Sequence, residues 1–331
     1  MANSSREIRR RIKSVKNIAQ ITKAMELVAA AKMRRAQQQA TASRSYAVLS
    51  SELLKNLAAK GDLRHPLINR LVEDAPPQGG KTLIILITSD RGLAGALNTN
   101  VINKALGLIK LENKPIPAEN SVKLSGDLTK ASAKISDYSP NSHLGDGRGG
   151  DGFDLITVGK KGADAARRQK LNVIAAFTGK DRNLSILDAK PIAEIAINDY
   201  LAHKYEKVFV VYTDFISTLR QSPNVIQVLP FAGHVSRNTY HVPEILFEPS
   251  SDEVLEKFLY RAIEFTVYQA LVEAAASEHS ARMMAMCNAN TAAADLIDDL
   301  TLTYNQARQA GITRELSEIS AAKLAMEDNR Y

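Results

Sequence analysis

The sequence predicts an α/β protein with long helices: an antiparallel coiled coil of the N- and C-terminal helices plus a Rossmann-like α/β/α domain. Three observations carry this expectation. Residues 250–310 contain neither glycine nor proline, so a single helix can run about 90 Å at 1.5 Å per residue. Residues 1–60 lack both as well. Between these ends, short apolar runs such as TLIILIT (Thr82–Thr88) alternate with helical stretches, the order that builds a parallel sheet covered on both faces.

In the C-terminal segment apolar residues recur three or four apart, first Leu255, Phe258, Leu259 and Ala262, later Leu296, Leu300, Tyr304 and Ala307. That is one stripe, suited to one helical neighbour. In the N-terminal segment Ile8, Ile12, Val15, Ala19 and Thr22 keep the same spacing, and Ala29, Ala30, Ala31, Ala36 and Ala40 thin the helix so that a partner backbone can approach. Ser4 or Ser5 can cap its start, with Glu7 where a capping box places its carboxylate. Residues 1–35 hold ten Lys or Arg against two Glu, whereas residues 251–331 hold thirteen Asp or Glu against seven Lys or Arg. Opposite signs favour pairing, although exposed ion pairs contribute only about 0.2–1 kcal/mol each.

Gly61, Pro66, Pro76, Pro77, Gly79 and Gly80 mark a linker, after which a domain is expected over residues 81–231. Its strands are Thr82–Thr88, Phe153–Gly159, residues 171–177, Glu206–Thr213 and Asn224–Phe231; its helices are placed near Thr99–Lys110, residues 162–170 and Ile192–Tyr205. Residues 111–152, rich in Ser, Asn, Asp, Gly and Lys, are expected to form a partly disordered insertion loop. His234–Pro249 leads back to the terminal helix at 250–331.

Composition narrows the function classes. Aromatic residues make up 5% and tryptophan is absent, as expected of long helices with little core for large rings. The lone Cys287 excludes an internal disulfide and a four-cysteine zinc site, points to a reducing compartment, and reads as a small buried filler in its helix. No run of eighteen apolar residues occurs, and the amino terminus shows neither a secretory signal nor a presequence. The formal net charge of +7 raises nucleic acid or an acidic membrane surface as partners. Against nucleic acid, the first 45 residues hold no aromatic side chain to stack on a base.

Several motifs invite chemistry and fall short of it. GGKT (Gly79–Thr82) precedes its strand, whereas a phosphate-binding loop follows one, and the position of its first glycine is Ala75. SDRGLAGALN (Ser89–Asn98) sits after the first strand, where doubly wound folds bind ligands, but its glycines read G-x-x-G; a tight strand-to-helix turn is the simpler reading. The Asp-Gly cluster at Gly145–Gly152 lacks calcium-loop spacing, and the six histidines lack metal spacing. Met283, Met284 and Met286 read as packing. No catalytic, cofactor-binding or metal-ligating residue is assigned.

Three motifs together carry a resemblance: Arg6–Gln37, TSDRGLAGALN (Thr88–Asn98), and Ser277–Ala289 with Tyr304–Ile319. On these the chain resembles the gamma-subunit family of the F-type rotary ATP synthase. The resemblance implies a non-catalytic shaft standing inside a hexamer of alpha and beta subunits, with its Rossmann-like domain on the membrane ring of c subunits and beside the epsilon subunit. It implies that proton or sodium flow turns the shaft, that catalysis lies on beta, and that the location is the cytoplasmic side of the inner membrane, peripherally, with no cofactor and no nucleic acid. Residue by residue, Arg308, Gln309, Thr313 and Glu315 match the family's contact with a beta-subunit loop, Lys23 and Met25 match the facing segment of the first helix, and Lys204, Tyr205, Glu206 and Lys207 resemble the region facing the ring and epsilon. Ala94 stands where many relatives have cysteine, Arg314 where glutamine is common and Ala292 where asparagine is usual. The insertion holds no cysteine pair, so it is not the thiol switch of plastid relatives. Two alternatives from other classes are a basic coiled-coil protein binding nucleic acid through residues 1–35 and a nucleotide-dependent enzyme using the Rossmann-like domain.

Overall fold

The structure, a computed structural model, describes residues 5–59, 66–68, 81–112, 152–179, 184–230 and 251–328. The expected linker apart from residues 66–68, nearly all of the insertion with its Asp-Gly cluster up to residue 151, the return segment 234–249 and the capping residue Ser4 lie outside the described residues. In chain order the elements are α1 (Ser5–Ala59), β1 (Lys81–Ile87), α2 (Leu97–Glu112), β2 (Phe153–Val158), α3 (Lys160–Arg168), β3 (Asn172–Phe177), α4 (Ile186–Leu201), β4 (Tyr205–Phe215), β5 (Gln221–Leu229) and α5 (Ser251–Asp328).

The five strands form one sheet in the order β3-β2-β1-β4-β5. β1 pairs in parallel with both β2 and β4, β2 in parallel with β3, and β5 closes the far edge antiparallel to β4. β1 is central, and Leu83–Ile87 are all at most 4% exposed, which is why its run is continuous rather than alternating. Successive side chains point to opposite faces. Ile84, Leu86, Leu155 and Val211 pack with Val101, Ala105 and Ile109 of α2 and Ala166 of α3. On the other face Leu83, Ile85, Ile156, Val208 and Val210 pack with Ile192, Ala196 and Ile197 of α4, and with Leu259, Ile263 and Val267 of α5. The domain is three-layered, and α5 is part of one layer.

That last point corrects the one-stripe reading of residues 255–262. Leu259, Ala262, Ile263, Phe265, Val267, Ala270, Leu271 and Val272 are all buried, more than one helix face can hold, because α1, α4 and β4 surround this part of α5. Periodicity reports an amphipathic face only where one side meets water. α4 starts earlier than expected, because the Asp188 carboxylate accepts the Ser185 backbone N–H at 2.9 Å and holds the first turn upstream of Pro191. It also ends at Leu201, so Tyr205 opens β4 instead. α2 extends through Leu111 and Glu112, the first two residues assigned to the insertion, and α5 continues through Gly311 to Asp328. One glycine costs a helix only about 1 kcal/mol, too little to end it.

Candidate functional site: a two-helix shaft with an overhanging tip

α1 and α5 lie antiparallel. Ser43 bonds to the Gln269 side chain, and three residues farther along α1 the Tyr46 ring meets Phe265, with centroids 4.4 Å apart. One line of buried and half-buried positions on α1 runs through Ile8, Ile12, Val15, Ala19, Thr22, Glu26, Ala29, Met33, Ala36, Ala40 and Ser43. Steps of four and three define a heptad seam, which winds two helices left-handedly. α5 answers with Met286, Asn290, Ala293, Ile297, Leu300, Tyr304 and Ala307. The seam takes Ile297 rather than Leu296, which is 46% exposed, a one-residue difference between an apolar pair that sequence spacing does not separate. Among the described residues the ion pairs of α1 are with its own acids, Arg11 with Glu7 at 2.7 Å and Lys23 with Glu26 at 3.1 Å.

The register places Ser5 level with α5 near residue 307, so among the described residues α5 runs on alone beyond it. Residues 308–322 are exposed throughout. Arg308, Gln309, Thr313 and Glu315 all lie on this overhang, where Thr313 Oγ1 donates to the Gln309 carbonyl at 3.0 Å. Met25 is half-buried and Lys23 exposed, and the same register sets them about 30 Å down the shaft from Arg308 at 1.5 Å per residue. The six residues form two separate bands, not one cluster. Sequence reading missed the apolar side of the tip: Ile312, Leu316 and Ile319 are 50%, 59% and 66% exposed. Their 4–3 spacing continues a helical stripe past the end of the partner helix.

At the other end of the molecule, Lys204 pairs with Asp199 at 2.6 Å and Lys207 with Glu112 at 3.2 Å, while Glu206 is exposed. Tyr205 turns inward. It is 2% exposed and donates its hydroxyl to Asp154, which also accepts Asn172 Nδ2. Burial, and then the hydrogen bond and charge of Asp154, push the Tyr205 phenol above its usual value. Burial, and then the charge of Glu273, do the same for Tyr212. A raised phenol holds its proton more tightly folded than unfolded, so this stability is present below about pH 10 and is lost as pH rises past it. The melting temperature is expected to fall above about pH 10, and a chain carrying Tyr205→Phe and Tyr212→Phe to fall less steeply in the same scan.

The turn Ser89–Asn98 has a structural use for nearly every polar atom. Thr88 Oγ1 donates to the Val158 carbonyl at 3.0 Å and accepts the Gly162 N–H at 2.8 Å. Ser89 N–H donates to Asn98 Oδ1 at 3.0 Å, Asn98 Nδ2 donates to Ser89 Oγ, and Gly95 sits at φ +58°. The Asp90 carboxylate accepts the Lys160 N–H at 3.0 Å and the Gly179 N–H at 2.8 Å. It thus sets a carboxylate at the N-terminus of α3, where negative charge is favoured. Asp90→Ala is expected to cost about 2 kcal/mol in urea unfolding, because two N–H groups lose a charged acceptor.

Arg282, also missed from sequence, ties this turn to the shaft: its side chain is 10% exposed, pairs with Glu278 at 2.6 Å and donates to the Gly92 carbonyl at 3.4 Å. Cys287 is exposed rather than a buried filler, because it falls one residue past the seam position Met286, which is 5% exposed. Among the described residues no helix is long and apolar enough to cross a membrane, and no three His, Cys, Asp or Glu side chains gather in a metal-ligating group.

A family model described as ATP synthase matches residues 4–326. The ATP synthase gamma chain of Herpetosiphon aurantiacus is 40% identical over 332 residues, covering 98% of this chain and 99% of the relative. That of Pelotomaculum thermopropionicum is 38% identical over 325 residues, with 98% and 99% covered. Among solved structures, the Euglena gracilis mitochondrial ATP synthase in rotational state 3 contains a chain of TM-score 0.60 and 18% identity, covering 98% of this chain and 95% of that one. The central stalk and c-ring of the Tetrahymena thermophila enzyme contains one of TM-score 0.53 and 22% identity, covering 81% and 99%. At these identities the structures speak for the fold, and the sequence relatives speak for descent. With the motifs at both ends of the shaft and in the turn between them all accounted for, the chain belongs to the ATP synthase gamma-chain family.

Proposed function

We propose that the chain is the central-stalk rotor shaft of an F-type ATP synthase, passing torque between the membrane rotor ring and the catalytic alpha/beta hexamer. The observation that carries this reading is the shape: an antiparallel two-helix rod whose longer member runs on unaccompanied among the described residues, rooted in a three-layer domain at the other end. The relatives' name and the central-stalk neighbour support it. The helix over 1–60 and the helix over 250–331 form the axle, and the domain over 81–231, with its insertion at 111–152, forms the foot toward the c ring and epsilon. Catalysis lies on beta, the coupling ion is a proton or sodium, and the complex works on the cytoplasmic side of the inner membrane with this chain held peripherally. A shaft needs stiffness and an off-axis surface; contact that differs between conformers of beta is enough to shift their populations.

Arg308, Gln309, Thr313 and Glu315 act at the tip, with Lys23 and Met25 as a second band. Lys204, Glu206 and Lys207 face the ring and epsilon, whereas Tyr205 supports them from inside. Nothing in the family assignment favours nucleic acid on the basic face of α1. The test is Arg308→Ala with Gln309→Ala and Glu315→Ala in the assembled complex. The exposed positions should leave stability within about 0.5 kcal/mol. ATP synthesis is expected to fall at least about tenfold, the effect of about 1.4 kcal/mol of lost contact; synthesis at the unaltered rate would count against the assignment.

A further inference from the structure

α1 meets α5 mainly through small or flexible side chains such as Ala29, Met33 and Ala36, and apolar contact of that kind is non-directional. A rod under torque needs something that also resists one helix slipping along the other. Among the described residues one side-chain hydrogen bond crosses from α1 to α5, Ser43 Oγ donating to Gln269 Oε1. Ser43 is 9% exposed, and both residues occupy seam positions of their helices. The line continues. Gln269 Nε2 donates to Glu273 Oε1 at 2.7 Å, and four residues farther along α5 the fully buried Ser277 Oγ donates to the Thr213 carbonyl of β4 at 3.1 Å.

Hydrogen bonds thus tie the N-terminal helix to the C-terminal helix, and two turns farther along α5 tie that helix to the sheet. The Ser43 hydroxyl also has the Gln39 and Ala40 carbonyls of its own helix within reach, at 2.9 and 3.1 Å, so a shift of α1 by one residue, about 1.5 Å, returns that proton to its own turn and takes a partner from the half-buried Gln269 Oε1. A polar residue at one seam position is the best-attested way to fix register in a coiled coil. We propose that the contacts Ser43–Gln269–Glu273, together with Ser277 on the Thr213 carbonyl, form a torsional lock that makes the two-helix rod and the sheet domain turn as one body, with Gln269 and Glu273 as positioning residues. The proposal rests on the rotor reading, since a lock matters only in a chain that carries torque.

The experiment uses the assembled complex, with the alpha/beta hexamer fixed and a probe on the sheet domain, turned by ATP. In Ser43→Ala and in Glu273→Leu chains rotation is expected to persist, while the angular spread of the probe at each pause widens about twofold as a directional link is lost. Ser43→Thr, which keeps the hydroxyl, is expected to match the unaltered chain. A merely structural role would lower the melting temperature without changing that spread. Unchanged spread in Ser43→Ala, or equal widening in Ser43→Thr, overturns the lock; if Glu273→Leu does not assemble, the two Ser43 variants decide the matter alone. An unaltered complex that does not rotate contradicts the rotor reading itself, a result distinct from either.

Discussion

Gly159→Ala is expected to unfold the three-layer domain or to cost it at least about 3 kcal/mol, because two independent requirements meet at this residue. Gly159 sits at φ +97°, a conformation L side chains rarely adopt, and a Cβ there would lie 2.2 Å from the Thr88 carbonyl oxygen, which is backbone and cannot step aside. The closeness is what lets Thr88 take the Gly162 N–H and start α3 against the end of β1. Gly162 is tight as well, but its nearest contact would be the Thr88 side-chain oxygen at 2.8 Å, and it has ordinary helical φ. Urea unfolding of the purified chain should show Gly159→Ala as by far the more damaging of the two alanine substitutions; equal costs would contradict the role given to the close approach.

The second large effect is expected at the root of the shaft. Ile263 is 0% exposed and belongs to the same cluster as Ile85 of β1, Ile197 of α4 and Val210 of β4. Ile263→Ala removes three carbons from a site enclosed by sheet and helices, which costs about 2–5 kcal/mol where the surroundings do not collapse. The same change at Ile312 on the exposed tip should move stability by at most about 0.5 kcal/mol. Thermal melts of the two variants therefore separate what anchors α5 from what it presents. Similar losses at both positions would mean that the tip is packed in the free chain.

Most of the architecture was readable because long glycine- and proline-free segments and strand-sized apolar runs are local signals. What misled was context. The spacing of Leu259 and Ala262 suits a two-helix seam, yet these residues face a sheet that their own sequence cannot announce. Leu296 and Ile297 are equally apolar, and only the position of α1 decides which is covered. Tyr205, named with its neighbours as an outward-facing residue, is drawn inside by Asp154, a partner 51 residues away in the chain. The tip shows the converse limit: the polar residues there came from family motifs, whereas the stripe Ile312, Leu316 and Ile319 required knowing that α1 had already ended. Arg282 is of the same kind, since its acceptor at Gly92 lies 190 residues away. Registers and long-range polar partners are properties of packing, which pattern along one segment does not encode.

The central claim is that this chain turns as a rod inside a fixed ring. The most direct measurement fixes the alpha/beta hexamer of the assembled complex to a surface, places a probe on the sheet domain near Ile174, which is 43% exposed on the edge strand β3, and supplies ATP. The account predicts stepwise rotation in one direction, abolished when the chain is cross-linked to the hexamer through the tip of α5. ATP hydrolysis at full rate with a stationary probe, or rotation unaffected by that cross-link, would contradict it.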